Sequence, residues 1–285
     1  MAFKDTDLIK PSIFALIAGM VVSVIGMIPI VAAGILLPES QLGRGIMFVL
    51  GAILIFVQYV VSYIFSGMTV YLIYGYLAEG DGRMDKAWAV VQRDFLDILT
   101  LAAASTAVNL LKSAAQRNRR GGVAAGMARA ATGLLQTLWT EAAFLVLPAM
   151  VIDDLNLKAG LERVLKIAKE NLLLIGISTV GVGVVTGLIG FVLGVTGALL
   201  GLGVGYGLVS LFGGQTAGLV IGISLGVLIF LAFVMLASVI STYTRTAYHT
   251  CLYLWARDTE KARAEGSLLP VAAPAPLAMV LGNAA

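Results

Sequence analysis

The sequence predicts an all-α integral membrane protein with about six transmembrane helices and two interfacial amphipathic elbow helices. Of the 285 residues, 59% are hydrophobic and 12% are charged, and the mean hydropathy is +0.97. A soluble domain has about 45–50% apolar and about 25% charged residues. No Asp, Glu, Lys, Arg or His occurs between Asn171 and Thr244. Because one span needs about 20 apolar residues, this uncharged run holds two spans and their connection.

Apolar segments bounded by charge or by turn residues predict the individual spans. In chain order they are Pro11–Leu37, Gly45–Tyr76, the short Phe95–Leu111, Ala131–Ile152, Leu172–Leu200 and Gly214–Tyr243, with a flexible turn at 201–214 between the last two. The second segment exceeds the length of a bilayer core of about 30 Å, so it must tilt or project. We predict a single helical transmembrane domain over residues 1–266. An apolar Ala/Pro-rich tail follows over residues 267–285.

Two shorter segments between spans are apolar on one face and charged on the other. In the first, the apolar residues at helical spacing are Met84, Ala87, Trp88, Val91 and Phe95. In the second, they are Leu161, Val164, Leu165 and Ala168. Amphipathic helices of this kind lie in the membrane interface. Each elbow stands between a pair of spans, which suggests a degenerate repeat of span, elbow and span.

The distribution of Lys and Arg predicts the orientation in the membrane. Most of them lie in the two elbows and near the two ends of the chain. The positive-inside rule therefore places the elbows and both termini in the cytoplasm. We expect a prokaryotic cytoplasmic (inner) membrane protein.

A basic cluster between the third and fourth spans conflicts with this orientation. It consists of Lys112, Arg117, Arg119 and Arg120. If both spans cross fully, the cluster lies on the opposite side from the elbows. Its cations could bind anionic lipid headgroups or a partner, at about 1 kcal/mol each, or they could form a plain solvated loop.

Glycines recur regularly in the fifth and sixth spans. In the fifth span they follow in alternating steps of four and three, at Gly183, Gly187, Gly190, Gly194, Gly197 and Gly201. In the sixth they are four apart, at Gly214, Gly218, Gly222 and Gly226. Glycine costs about 1 kcal/mol relative to alanine in a helix interior, but a row of small residues lets two helices approach closely in lipid.

Two glycine faces of this length exceed what one intramolecular helix pair needs. We expect part of the fifth-span row to pack against the sixth span of the same chain. We expect at least one face to contact another subunit. The sequence therefore predicts a homo-oligomer or a complex with a membrane-protein partner.

Three polar residues inside spans are candidates for an ion or polar path. Glu141 lies well inside the fourth span, and an intramembrane ionisable residue indicates a functional site by default. The structural alternative is a carboxylate in the bundle interior, bonded to Thr137 or to a cation on another helix. Asp97 and Asn109 could line the same path in the third span. Alternatively, Asp97 lies at the interface and Asn109 bonds a neighbouring helix.

The sequence contains one histidine and one cysteine, His249 and Cys251. They are two residues apart and therefore lie on different helix faces. We expect an interfacial histidine and a buried thiol, beside an aromatic belt of Tyr243, Tyr248, Tyr253 and Trp255. One His and one Cys make no metal-ligand set, so we predict no metal site and no cofactor.

No enzyme motif is present. The sequence has no HExxH, no G-x-S-x-G and no Walker loop. The segment "GLGVGYG" follows no predicted strand and lies within apolar sequence of membrane length. We therefore expect a protein that is not an enzyme and that binds no nucleic acid.

Five segments carry a resemblance to a known family. They are "AWAVVQRDFLDIL", "NLLKSAAQRNR", "LWTEAAFLVLPAMVIDD", "LERVLKIAKENLLL" and "TYTRTAYHTCLYLWA". From Leu72 to Trp255 the chain resembles an uncharacterised family of bacterial and archaeal multi-pass membrane proteins, defined only as a domain of unknown function. The resemblance implies six spans and no known activity. The long glycine-rich spans depart from the family pattern.

These observations favour a non-catalytic membrane protein, a scaffold or assembly subunit that associates with itself or with a partner complex through its glycine-rich helices. The alternative is a channel or transporter with Glu141 in the translocation path. In either case we expect the protein to contact the lipid bilayer, including anionic lipids.

Overall fold

The computed structural model of the chain describes residues 5–37, 40–117, 123–170, 172–212 and 215–266. Helix makes up 93% of it, and these residues form no strand. The helices are α1 (Lys10–Leu36), α2 (Gln41–Glu79), α3 (Met84–Arg93), α4 (Phe95–Arg117), α5 (Val123–Asp153), α6 (Leu157–Glu170), α7 (Leu172–Leu211) and α8 (Thr216–Ala264). Six of the eight are long and apolar enough to span a membrane. The predicted fold class is confirmed.

The chain divides into two compact units. The first, the helical body, comprises residues 1–175 and 246–285. The second, the glycine hairpin, comprises residues 176–245. α8 is one continuous helix that contributes residues to both units. The predicted tail over residues 267–285 lies outside the described residues.

Local signals account for both ends of α2. The Ser40 hydroxyl accepts a hydrogen bond from the Gly43 amide at 2.8 Å and so caps the first turn. At the other end Gly80 has a left-handed backbone, with φ of 78°, which glycine adopts without steric cost. The chain then reverses into α3. The elbow therefore begins where the sequence places a turn.

Three predicted boundaries are wrong. The third span is longer than Phe95–Leu111, because α4 continues to Arg117. Its apolar part has 22 residues, about 33 Å of helix at about 1.5 Å per residue, which is long enough to cross a bilayer. The segment 201–211, predicted as a flexible turn, is helical, and α7 ends only at Leu211. Likewise α8 does not end near Tyr243 but continues to Ala264. Glycine in lipid does not terminate a helix that packing supports, and neither does a charge at the membrane edge.

Both predicted elbows form separate helices, α3 and α6. In α6 the buried residues are Gly160, Val164 and Ile167, whereas Leu165, predicted on the same apolar face, is 57% exposed. The apolar stripe of α6 is thus divided between packing on the helical body and an exposed flank. α3 shows the same division, with Val91 buried and Trp88 exposed.

The elbows and the described near-terminal segments lie at one end of the helical body. The Asp5 carboxylate accepts a hydrogen bond from the Gly82 amide at 3.0 Å, just before α3. Arg93 at the end of α3 pairs with Asp154 after α5 at 3.4 Å. Lys166 of α6 pairs with Glu260 near the end of α8 at 2.7 Å. At the opposite end of the body α4 ends at Arg117 and α5 begins at Val123.

Candidate functional site

The helical body holds an acid and a base in direct contact. Glu141 of α5 and His249 of α8 are joined by a hydrogen bond of 2.9 Å between Oε2 and Nε2. The His249 side chain is 2% exposed and that of Glu141 is 22% exposed. The pair therefore fixes α5 to α8 inside the helix bundle.

Aromatic rings enclose the imidazole of His249. The Phe144 ring stacks on it with a centroid separation of 5.2 Å and an interplanar angle of 25°. The Tyr248 ring meets it edge-on at 5.6 Å and 89°. These contacts hold the imidazole plane in a single orientation, with Nε2 directed at Glu141.

The pair of Glu141 and His249 lies far from the end of the body that carries the elbows. Asp153 and Arg257 form an ion pair of 3.1 Å where α5 ends. At about 1.5 Å per residue, Glu141 lies about 18 Å before Asp153 and His249 about 12 Å before Arg257. Half of a bilayer core is about 15 Å. If the Asp153 level marks one membrane surface, the Glu141–His249 pair lies near the bilayer centre.

A second polar contact joins three helices at the Ser105 hydroxyl of α4. It accepts a hydrogen bond from Trp139 Nε1 of α5 at 2.9 Å and shares one of 2.7 Å with the Tyr63 hydroxyl of α2. Ser105 is 1% exposed. Interhelical bonds of this kind replace the hydrophobic driving force that lipid removes.

Charged side chains form a network at the elbow end of the body. Asp153 accepts from the Tyr253 hydroxyl as well as from Arg257. Arg163 of α6 contacts both Tyr253 and Glu260. Burial opposes the charge on Arg163, but its bonds to Tyr253 and Glu260 outweigh that effect and raise the pKa of the guanidinium. The Arg257 guanidinium stands over the Tyr74 ring at 5.8 Å. The network ties α2, α5, α6 and α8 together.

The other two polar-path candidates do not join Glu141. Asp97 lies in the first turn of α4, and it lines an open cleft of about 550 Å³ with the elbow residues Asn156, Lys158 and Glu162. Asn109 donates a hydrogen bond of 3.3 Å to the Tyr59 hydroxyl of α2. The Asn109 contact is the interhelical bond of the structural alternative, and the position of Asp97 at the interface stays a prediction.

Half of the basic cluster falls outside the described residues. Lys112 is half-buried in the last part of α4, and Arg117 is the last residue of that helix. Arg119 and Arg120 lie in the segment 118–122, outside the described residues. Its role as a lipid or partner site stays a prediction.

The glycine hairpin is closed by backbone contact along one part of its length. A Cβ built on Gly201 would stand 2.5 Å from the Gly226 carbonyl oxygen, and one on Gly226 would stand 2.6 Å from that of Gly201. Gly205 and Gly222 repeat this relation one turn away, at 3.0 and 2.6 Å. Only glycine permits such an approach of two helix backbones.

The remaining glycines of the two rows fall into two groups. A Cβ on Gly197 would meet the Phe233 side chain at 2.6 Å, and one on Gly218 would meet Phe212 at 2.4 Å. Four glycines have no described neighbour within 4 Å of a built Cβ: Gly183, Gly187, Gly190 and Gly194. Gly214 lies outside the described residues. We call the six glycines with such contacts the closed row: Gly197, Gly201, Gly205, Gly218, Gly222 and Gly226. We call Gly183, Gly187, Gly190 and Gly194 the open row.

The sequence did not reveal the partner of Glu141. Thr137, one of the partners considered, donates its hydroxyl to the Gly133 carbonyl of its own helix at 3.1 Å. The partner on another helix is His249, which we expected at the membrane edge. The expectation of a buried thiol is met, since Cys251 is 0% exposed. In the sequence, the only histidine lies on the same helix face as Arg245 and Tyr253. This position does not predict a contact with Glu141, which is 108 residues away.

The fold and these contacts define a class: a multi-pass α-helical membrane protein with an ionisable pair inside its helical body and a glycine-packed hairpin. No family model, curated protein or solved structure matches the chain. Within the described residues, no group of three or more His, Cys, Asp or Glu side chains is placed to hold a metal ion.

Proposed function

We propose that this protein is a non-catalytic assembly subunit of the membrane, which binds a second copy of itself through the open row of α7. The observation that carries this proposal is the contrast between the two glycine rows. The closed row shows what the spacing achieves, because there the backbones of α7 and α8 touch. The open row continues the same series of glycines, in steps of three and four, along the same helix and has no described neighbour.

The chemistry of the open row favours another copy of the chain as its partner. Two apolar helix surfaces gain little by exchanging lipid for each other, so a helix pair in lipid depends on close packing. A row without side chains fits best against another such row. A second copy supplies an identical row, and a two-fold axis would bring the two together in a closed dimer.

Large apolar side chains border the open row and would form the rim of this contact. Val184, Leu188 and Phe191 are 64%, 62% and 69% exposed. In the proposed dimer these apolar side chains of one copy pack against the open-row glycines of the other copy. The side chains would then supply most of the buried area, and the glycines would let the two helices approach closely.

Location and sidedness belong to the same proposal. The end of the body that gathers the elbows carries Arg93, Lys166 and Arg257, and a surplus of Lys and Arg near span ends marks the cytoplasmic side. We place this end in the cytoplasm of a prokaryotic cell and the protein in its cytoplasmic membrane. The basic cluster near Lys112 then faces the outer side.

A channel or transporter is the second candidate. Its supporting observation is the partial exposure of Glu141 near the middle of α5. Its hydrogen bond to His249 closes the carboxylate against a passing ion in this conformation. Ion flux into liposomes that disappears in Glu141→Gln would favour this candidate.

The assembly proposal is tested by the double variant Gly190→Leu/Gly194→Leu. Two leucines on the open row would keep the two helices too far apart for close packing. The dissociation constant of the dimer is therefore expected to rise at least about tenfold. The measurement is the particle mass, by native mass spectrometry after gentle detergent extraction and by single-molecule counting in nanodiscs.

The matched control is Gly203→Leu/Gly207→Leu. These two glycines have the same spacing and the same helix, also lack a described neighbour within 4 Å, and lie on the other face of α7. The control is expected to keep the wild-type mass. A monomeric wild-type protein, or equal masses for the two double variants, would contradict the proposal.

A further inference from the structure

The open cleft of about 550 Å³ in the helical body lies between the start of α4 and the start of α6. Asp97 and Thr100 of α4 line one side, and the first turns of α6 line the other. The apolar span of α4 begins at Phe95. When α4 crosses the bilayer, its first turn therefore lies at the edge of the hydrocarbon core, beside the lipid headgroups. At this depth a phospholipid changes from polar to apolar.

The α6 side of the cleft carries a row of leucines. Leu157, Leu161 and Leu165 follow at intervals of four residues, so they lie on one helix face, and all three line the cleft. Val164 and Ile167 of the same helix are buried in the body, whereas Leu165 is 57% exposed. The protein thus leaves part of this row uncovered at the depth where acyl chains begin.

The polar side chains of the cleft carry both signs of charge, with an excess of carboxylates. Lys158 and Glu162 pair at 4.0 Å and are 87% and 68% exposed. Asp97 adds a second, half-buried carboxylate. Arg93, the cation that precedes it on the chain, pairs with Asp94 at 2.7 Å. Among the described residues no Lys or Arg forms an ion pair with Asp97, so this carboxylate can accept the cation of a ligand.

We propose that this cleft binds a phospholipid whose headgroup carries a primary ammonium. The ammonium pairs with Asp97 and Glu162, the phosphate pairs with Lys158, and an acyl chain lies along the leucine row. A zwitterionic headgroup brings one charge of each sign to side chains that also have both signs. The inference rests on the membrane-spanning fold and not on the dimer proposed for the glycine hairpin.

The residues of the cleft favour a primary ammonium over the other common headgroups. Proteins recognise a quaternary ammonium with aromatic rings, and no aromatic residue lines this cleft as the structure describes it. A primary ammonium has three N–H donors for the carboxylate oxygens. An anionic headgroup would bring its negative charge to two carboxylates and only one lysine, where like charges oppose it.

The first test compares lipid classes on the full chain in mild detergent. Phosphatidylethanolamine, phosphatidylcholine and phosphatidylglycerol with identical acyl chains are titrated separately, and native mass spectrometry measures the dissociation constant of the first lipid bound. Phosphatidylethanolamine is expected to bind about fivefold more tightly than the other two, the ratio that one partly exposed ion pair supplies. Equal affinities, or tighter binding of either other lipid, would overturn the proposal.

Asp97→Asn is expected to abolish this preference, because the amide keeps the shape of the side chain and loses its charge. Asp85→Asn is the matched control, since Asp85 is an exposed carboxylate of α3 at the same end of the body and pairs with Arg83 at 2.8 Å. The control is expected to keep the wild-type preference. A preference that survives Asp97→Asn, or that is lost equally in Asp85→Asn, would contradict the proposed site.

Leu165→Ser tests the position of the acyl chain. Leu165 is largely exposed, so its replacement does not open a cavity in the body. The variant is expected to weaken the binding of all three lipids by the same factor, because it changes the contact with the acyl chain and not with the headgroup. Unchanged affinities would show that no acyl chain lies along the leucine row.

A cross-linking measurement on the unmodified chain does not depend on the folding of any variant. In nanodiscs that contain phosphatidylethanolamine, a water-soluble carbodiimide activates a carboxylate, and the lipid amine then displaces the urea and forms an amide. Peptide mass spectrometry is expected to find the lipid adduct on Asp97. Glu79 and Asp85, 62% and 67% exposed at the same end of the body, are internal controls. No adduct on Asp97, or an equal yield on either control, would also overturn the proposal.

Discussion

The helical body and the glycine hairpin solve the same problem by opposite means. The body joins its helices through side chains, with Glu141 bonded to His249, and Ser105 bonded to Tyr63 and Trp139. The hairpin joins α7 to α8 by removing side chains, so that Gly201 and Gly226 place their backbones in contact. Both devices replace the hydrophobic effect, which is absent between helices in lipid.

The difference teaches where each unit is vulnerable. A polar contact in the body is lost when one partner is removed, whereas the backbone contact in the hairpin is lost when one atom is added. Charge should affect the body far more than the hairpin, because Arg245, the last residue of the hairpin, is the only charged residue within 176–245.

The largest effect is expected from Gly226→Ala. The new Cβ would stand 2.6 Å from the Gly201 carbonyl oxygen, so the two helices must separate along the closed row. We expect a loss of about 2–3 kcal/mol, typical of overpacking, measured as a lower temperature of thermal unfolding.

Gly203→Ala is the matched control for the hairpin. No described atom lies within 4 Å of its built Cβ, and alanine favours helix by up to about 1 kcal/mol. The two substitutions should change stability in opposite directions. Equal losses would show that helix propensity, and not backbone approach, decides the hairpin.

An intermediate effect is expected from Asp153→Asn in the body. The carboxylate pairs with Arg257 and accepts from Tyr253, and both partners lie mostly buried. Removing its charge should cost about 1–2 kcal/mol, because the Arg257 guanidinium loses its nearer carboxylate and keeps only Asp258 at 3.5 Å. Chemical or thermal unfolding in detergent measures the loss.

The neighbouring Asp154→Asn provides the comparison for this charge. Asp154 is 67% exposed and meets Arg93 only at 3.4 Å, and an exposed ion pair contributes about 0–1 kcal/mol. If Asp154→Asn lowered the free energy of unfolding as much as Asp153→Asn, burial would not explain the contribution of the network to stability.

The smallest effect is expected from Ser105→Ala. Tyr63 and Trp139 would each lose the Ser105 hydroxyl as a partner, and interhelical bonds in membranes average about 0.6 kcal/mol. We expect a loss of about 1 kcal/mol in the same unfolding measurement.

Thr106→Val tests whether the interhelical character of the Ser105 contact matters. The Thr106 hydroxyl donates only to the Ala102 carbonyl of its own helix, at 2.8 Å. This variant should leave stability nearly unchanged. A larger loss in Thr106→Val than in Ser105→Ala would argue against polar contacts between helices as the means by which the body is held.

The sequence predicted the number and the order of the helices because membrane length and hydrophobic periodicity are local properties. It also located both elbows and singled out Glu141 as an ionisable residue inside a span. It misplaced the ends of α4, α7 and α8, since composition alone does not show whether glycine or charge continues a helix. It placed Val164 and Leu165 on one apolar face of α6 but did not show that Val164 is buried and Leu165 exposed.

Composition and periodicity by themselves determined that this chain is a multi-pass helical membrane protein with two glycine rows and one carboxylate inside a span. Only the tertiary structure decided that Glu141 meets His249, and which glycines touch a helix within the chain. The physical reason is that hydropathy and spacing act within one segment. A hydrogen bond between α5 and α8, or a backbone contact between Gly201 and Gly226, depends on how two distant segments cross in space.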